Sequence, residues 1–216
     1  MSEAALTHGF QYSSARHQSE TAVAGMWLFL ATEVLFFGAL FLSWIYARHW
    51  TQAGFDAGAQ QTDLTIGTIN TAILIASSFV YSLGAAFMEF GNTRRLIQCC
   101  VFAAGLGVVF LILKFGIEWN EDFHKHLFPG PGFAIEGALG GGARIFFVFY
   151  FVSTALHGLH MIVGLCLVGW IIARARLGEF SSSYNTPVIV VGLYWSFVDM
   201  VWIMLYPLIY LVGRGT

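Results

Sequence analysis

Apolar residues run along this chain in five long stretches, separated by short polar links. The stretches cover 24–47, 66–88, 96–117, 145–173 and 188–212. A helix crosses the hydrocarbon core of a bilayer with roughly 20 apolar residues, whereas a membrane strand needs only about 10 of alternating polarity. Each stretch outruns a strand and is apolar on all sides. The pattern therefore predicts an all-α polytopic membrane protein, a bundle of five transmembrane helices over 24–213 preceded by a polar N-terminal segment, 1–23. The first apolar run is too long for a signal-peptide core, so no cleavage is expected.

The links carry turn chemistry. The one at 48–65 holds Gly54, Asp56, Gly58 and Asp63, and the tight one at 89–95 turns on Gly91 and Asn92. The longest, 118–144, contains Pro129-Gly130-Pro131-Gly132 and Gly140-Gly141-Gly142, and 174–187 contains Ser181-Ser182-Ser183. Pro187 suits the first turn of a helix. There is no internal repeat, and an odd number of spans does not divide into inverted halves.

Composition excludes a soluble reading. Charged residues make up 10% of the chain and hydrophobic ones 57%, against about 25% charged in an average soluble domain. The formal net charge is −2 with no basic tract, so no nucleic-acid partner is expected. Cys99, Cys100 and Cys166 all lie in apolar runs and read as small hydrophobes. Arg16, Arg94, Arg95, Arg174 and Arg176 fall on the side of the N-terminus, and Arg48, Lys114, Lys125, Arg144 and Arg214 on the other. The count ties, but the short links with paired arginines favour a cytoplasmic N-terminus. Trp44, Trp50, Trp119 and Trp170 lie near span ends, where interfacial anchors belong.

Few residues at membrane depth can carry chemistry. Glu33 sits near the middle of the first span and Asp199 near the middle of the fifth. A carboxylate at mid-bilayer costs about 3 kcal/mol on insertion scales, so each is either functional or a hydrogen-bonded packing node. Trp195, Asp199 and Trp202 share one helix face, and Ser196 is within one turn of Asp199 as a hydrogen-bond partner. His157 and His160, at i and i+3, fall roughly on one face and read as structural polar residues tying helix to helix. No further histidine at membrane depth completes a metal shell, so no metal is assigned. Lys114 and Glu118, at i and i+4, read as an interfacial ion pair worth a few tenths of a kcal/mol. In the second span, Thr68, Ala72 and Ala76, and again Ser78, Ser82 and Ala86, repeat every four residues and predict close helix packing inside protein. These residues alone name no reaction. They leave open an ion or solute pathway and a non-catalytic subunit of a larger complex.

The run from Gly25 to Phe37, with Glu33 at its centre, resembles the first retained span of haem-copper oxidase subunit III. Asn70-Thr71 with Ser77-Ser78 is similar to its next span, and Lys114, Glu118 and Trp119 to the end of its third. Thr154, His157-Gly158-Leu159-His160 and Gly164 resemble its histidine motif, and Tyr194-Trp195, Phe197-Val198-Asp199 and Val201-Trp202 its last-span signature. Five pieces in register make the resemblance specific, and the short five-span bacterial cytochrome c oxidase subunit III is the best fit. Two departures stand out. Ser196 replaces the family's usual histidine, and Lys114 lies four residues before Glu118 where the family usually has three.

The resemblance implies a bacterial inner-membrane protein of the aerobic respiratory chain, without a catalytic or redox centre of its own. The haems, copper and proton pump would lie in its direct partner, subunit I, with subunits II and IV in the same complex. Its own ligands would be phospholipids, and its role to stabilise subunit I and support proton uptake, with Glu33 the residue tied to lipid and protons. Subunit III of a quinol oxidase and the related accessory chain of a nitric oxide reductase are alternatives. A proton-coupled transporter using Glu33 and Asp199 is a remote one.

Overall fold

The computed structural model of the chain describes residues 12–214. The first eleven residues of the polar N-terminal segment, His8 included, lie outside the described residues. Five helices are long and apolar enough to cross a membrane, as the hydrophobic pattern predicts. They are α1 (Ala15–Gln61), α2 (Leu64–Glu89), α3 (Thr93–Leu111) with its continuation, α5 (Gly140–Arg176) and α6 (Thr186–Tyr206). The short helix α4 (Trp119–His124) extends the line of α3.

Capping side chains set several of these starts. Ser14 accepts from the His17 N–H at the head of α1, Asp63 from Thr65 and Ile66 at α2, and Asn92 from Arg95 at α3. Gly91, at φ +74°, makes the turn between α2 and α3 that a side chain would strain. Two stretches wind more loosely, as π-helix: Ile112–Glu118 and Pro207–Leu211. The second begins at the proline, whose missing N–H cannot continue the α ladder.

The polar stretch 48–61, read from sequence as a link, is instead the end of α1. At 47 residues this helix measures about 70 Å, more than twice a hydrocarbon core of about 30 Å. It resolves the excess by kinking at Thr51, where φ is −135° and ψ 38°. No proline interrupts 48–61, and beyond the kink the helix folds onto the start of α5. Gly54 lies so close to Gly142 that a Cβ there would stand 2.6 Å from the Gly142 Cα, and a Cβ on Gly58 would stand 2.7 Å from the Phe146 ring. Arg48 donates to Asp56 at 2.8 Å across the bend. Arg214 reaches back from the C-terminus to the carbonyls of Ala59 and Thr62, satisfying acceptors that the end of α1 leaves open.

Within the bundle, α2 and α3 form a tight antiparallel pair that packs on α6 and α5, while α1 lies against α5 and α6. The buried face of α2 is Gly67, Asn70, Leu74, Ser77, Tyr81, Gly84 and Met88. The small-residue stripe expected to pack inside does so only in part: Ser78 bonds Asp199 and Thr68 meets the Tyr206 hydroxyl of α6 at 2.8 Å, while Ala72, Ala76, Ser82 and Ala86 are exposed. Close approach is made by two glycines, Gly67 against the Tyr210 ring and Gly84 against Cys99.

Candidate functional site

Three polar assemblies occupy the bundle, and together they collect Glu33, His160, Asp199, Lys114 and Glu118, but neither His157 nor Ser196. The first joins α1 to α5. His160 places Nδ1 2.8 Å from the Leu156 carbonyl and Nε2 3.1 Å from Glu33 Oε2. A carbonyl only accepts, so Nδ1 carries a hydrogen. The contact at Nε2 then needs one more, held by the imidazole or by the carboxyl. The two side chains are 18% and 16% exposed, so the pair sits at the edge of the α1–α5 seam. Phe37 stacks edge-on to the imidazole at 5.2 Å, and Tyr194 donates to the His160 carbonyl at 3.1 Å.

The second assembly joins α2 to α6. Ser78 donates to Asp199 Oδ2 at 2.6 Å, the Trp195 indole to Ser77 at 2.9 Å, and the Trp202 indole to Thr71 at 3.0 Å. Trp195, Asp199 and Trp202 thus act from one face, as their spacing predicts. Ser196 is not the partner of Asp199. It is exposed on the outer side of α6, one residue and hence about 100° round the helix from Trp195, and the hydroxyl that satisfies the carboxyl comes from α2. The family histidine that Ser196 replaces would therefore sit outside this chain's own core.

The third assembly sits where α3 ends. Lys114 and Glu118 are not an interfacial pair: their side chains are 1% and 2% exposed, with Nζ and Oε1 2.9 Å apart. The Lys114 ammonium also donates to the hydroxyls of Tyr150 at 3.0 Å and Tyr210 at 2.7 Å. Tyr210 donates to Glu118 Oε1 at 2.6 Å. Tyr150 Oη lies 3.0 Å from that same oxygen and 2.7 Å from Asp122 Oδ2. Lys114 and Glu118 both lie within the π segment, Glu118 as its last residue, and its wider turn accommodates the fourth residue of spacing between them. Two looser turns, at 112–118 and 207–211, thus bring Lys114, Glu118 and Tyr210 together.

His157 parts company with His160. It is 1% exposed, packed between Phe110 at 5.4 Å and Trp202 at 5.0 Å, and neither ring nitrogen has a hydrogen-bond partner. At i and i+3 two side chains diverge by about 60°, enough to send one ring towards α3 and α6 and the other towards α1. No group of three metal-ligating side chains gathers among the described residues. The sequence reading missed Tyr150, Tyr210 and Ser78 as partners. The i, i+4, i+7 run of Tyr150, Thr154 and His157 was the available signal for the first of them.

Fold and polar assemblies together define a multi-pass helical membrane protein whose buried polar groups bind its own helices to one another. The particular kind follows from comparison: the family model for cytochrome c oxidase subunit III matches residues 7–214, and the chain belongs to that family, subunit III of the haem-copper oxidases. It is 30% identical over 201 residues to cytochrome c oxidase subunit 3 of Thermostichus vulcanus, covering 93% of this chain and 92% of the relative. It is likewise 30% identical over 207 residues to the cytochrome bo(3) ubiquinol oxidase subunit 3 of Pseudomonas aeruginosa, covering 95% and 91%. A haem-copper oxidase subunit I+III of Aeropyrum pernix is 26% identical over 195 residues, covering 88% of this chain and 22% of that longer protein.

Proposed function

We propose that this chain is the non-catalytic subunit III of a bacterial cytochrome c oxidase. It lies in the inner membrane with its N-terminus cytoplasmic, packs directly on subunit I, holds phospholipid and supports proton uptake. The carrying observation is the Glu33–His160 contact, 3.1 Å between Oε2 and Nε2 on the edge of the α1–α5 seam. Beside it, the outer face of α1 presents Trp27, Leu28, Leu35 and Phe36 to the surroundings, each 48% exposed or more, a surface suited to acyl chains or to an apolar partner. Haem ligation by His157 or His160 is a poor fit. The His157 ring is enclosed by aromatic side chains, and both nitrogens of His160 are engaged. The fused relative, named for subunits I and III in one chain, supports a direct contact with subunit I.

The test is purification of the tagged chain in mild detergent. A co-purifying complex with haem and copper that oxidises cytochrome c supports the proposal. Oxidation of a quinol instead would move the chain to the quinol oxidases, as the Pseudomonas relative's name suggests. Glu33→Ala is expected to assemble and to lose activity faster during turnover. Decay at the wild-type rate would remove the proton role.

A further inference from the structure

The cluster at the end of α3 has more hydrogen bonds than it has hydrogens, if its charges are the usual ones. Six bonds of hydrogen-bonding length join Lys114, Glu118, Asp122, Tyr150 and Tyr210. A charged ammonium supplies three hydrogens and each phenol one, which leaves the cluster one short. With both carboxyls ionised it would also carry a net negative charge, although Lys114, Glu118 and Asp122 are all 2% exposed or less. A single extra proton cures both defects. It completes the sixth bond and makes the cluster neutral, the state a buried site favours.

We propose that these five side chains form a proton-binding site that holds one proton, resting on the carboxyl of Asp122. The ammonium fixes its place: Lys114 bonds Glu118 directly and makes no bond to Asp122, so the negative charge stays on Glu118. Asp122 then donates to Tyr150, and Tyr150 donates to Glu118. The chain is a relay. If Asp122 passes its proton to the Tyr150 oxygen while Tyr150 passes its own to Glu118, the proton has moved from one carboxyl to the other and no hydrogen is gained or lost. Other titratable groups bearing on the cluster are Lys125, Asp63 and His157. Lys125 is paired with Glu121 at 2.7 Å on the exposed side of α4, and Asp63 is engaged as the cap of α2. Both ends of the relay are enclosed: Asp122 is 2% exposed and Glu118 1%. The site stands on geometry alone and does not depend on the identity of the partner subunits.

Infrared spectroscopy of the full-length chain in lipid bilayers, with aspartate carboxyls labelled with carbon-13, tests it. At neutral pH a protonated aspartic band is expected that survives Asp199→Asn and disappears in Asp122→Asn. The asparagine amide can itself donate to Tyr150, so that variant keeps the bonding pattern. Tyr150→Phe should move the band to higher frequency, because the acid loses its acceptor. Should Asp122→Asn fail to fold, the Asp199→Asn protein decides alone. An aspartic acid band that persists there supports the site, and a spectrum without one overturns it.

Discussion

Lys114 shows at the scale of single residues how far burial changes the meaning of a pair. On an exposed helix an i, i+4 pair contributes a few tenths of a kcal/mol. Here both side chains are enclosed, and the hydroxyls of Tyr150 and Tyr210 converge on them. Removing one partner leaves an uncompensated buried charge. Glu118→Gln and Lys114→Met are each expected to destabilise by about 3–5 kcal/mol, whereas the double replacement by methionine should cost far less. Denaturant unfolding of the purified chain in mixed micelles measures all three, and equal losses in singles and double would contradict this account. Asp199 is a milder case. Its one bond comes from Ser78, and an asparagine retains an oxygen to receive it. Asp199→Asn should assemble and fold as wild type, while Ser78→Ala leaves the carboxyl unsatisfied and should cost about 1–3 kcal/mol. A proton-pumping defect in an otherwise intact Asp199→Asn complex would overturn the packing reading. Glu33 differs from Asp199 in being reachable from outside, at 18% side-chain exposure against 3% for the whole of Asp199. An apolar carbodiimide should therefore label Glu33 in preference to Asp199, which peptide mapping by mass spectrometry would show.

Whole elements were legible where hydrophobicity alone decides them. Five apolar runs read correctly as five helices, because a bilayer leaves a spanning chain little else to form. The end of α1 was not legible. Gly54, Asp56 and Gly58 look like a turn in a linear reading, yet glycine is also what two helices need where their backbones touch. At Gly54 that second role wins: a Cβ would stand 2.6 Å from the Gly142 Cα and 2.8 Å from the Leu139 carbonyl oxygen, backbone atoms that cannot swing aside. Gly54→Ala should force α1 off α5 and cost about 1–3 kcal/mol. Gly105→Ala, where nothing lies within 4 Å, should be neutral or slightly stabilising. Thermal unfolding of the two variants in one lipid composition compares them directly. The stripe of Thr68, Ala72, Ala76, Ser78, Ser82 and Ala86 was half right for the complementary reason: Thr68 and Ser78 meet α6, and the other four are exposed. Four-residue spacing identifies a face of a helix but not the side on which a neighbour lies, and only the bonds from Trp195, Asp199 and Trp202 to α2 fix that.

For the molecule as a whole, the sequence located most of the polar residues that matter but not how they combine. Pairings such as Glu33 with His160, or Tyr210 with Glu118, join positions 127 and 92 residues apart, and no local spacing encodes them. The same three-dimensional information bears on orientation. Counted in sequence, the positive residues tie at five on each side of the membrane. Lys114, however, is sealed in the bundle by Glu118 and two tyrosines, so it faces no aqueous flank and leaves the count. Arg94 and Arg95 lie in the first turn of α3, and Arg174 and Arg176 in the last turn of α5, so all four flank short links, where the positive-inside bias is strongest. The N-terminus, the α2–α3 turn and the α5–α6 link are therefore expected in the cytoplasm, with the loop after α4 and the C-terminus outside. Reporter fusions read this directly. Alkaline phosphatase joined after Gly130 or Arg214 should be active, and joined after Gly91 or Ser182 inactive. The reverse pattern would invert the protein and, with it, the side of the membrane towards which the end of α3 and its Lys114 cluster lie: outside as argued here, the cytoplasm in the inverted case.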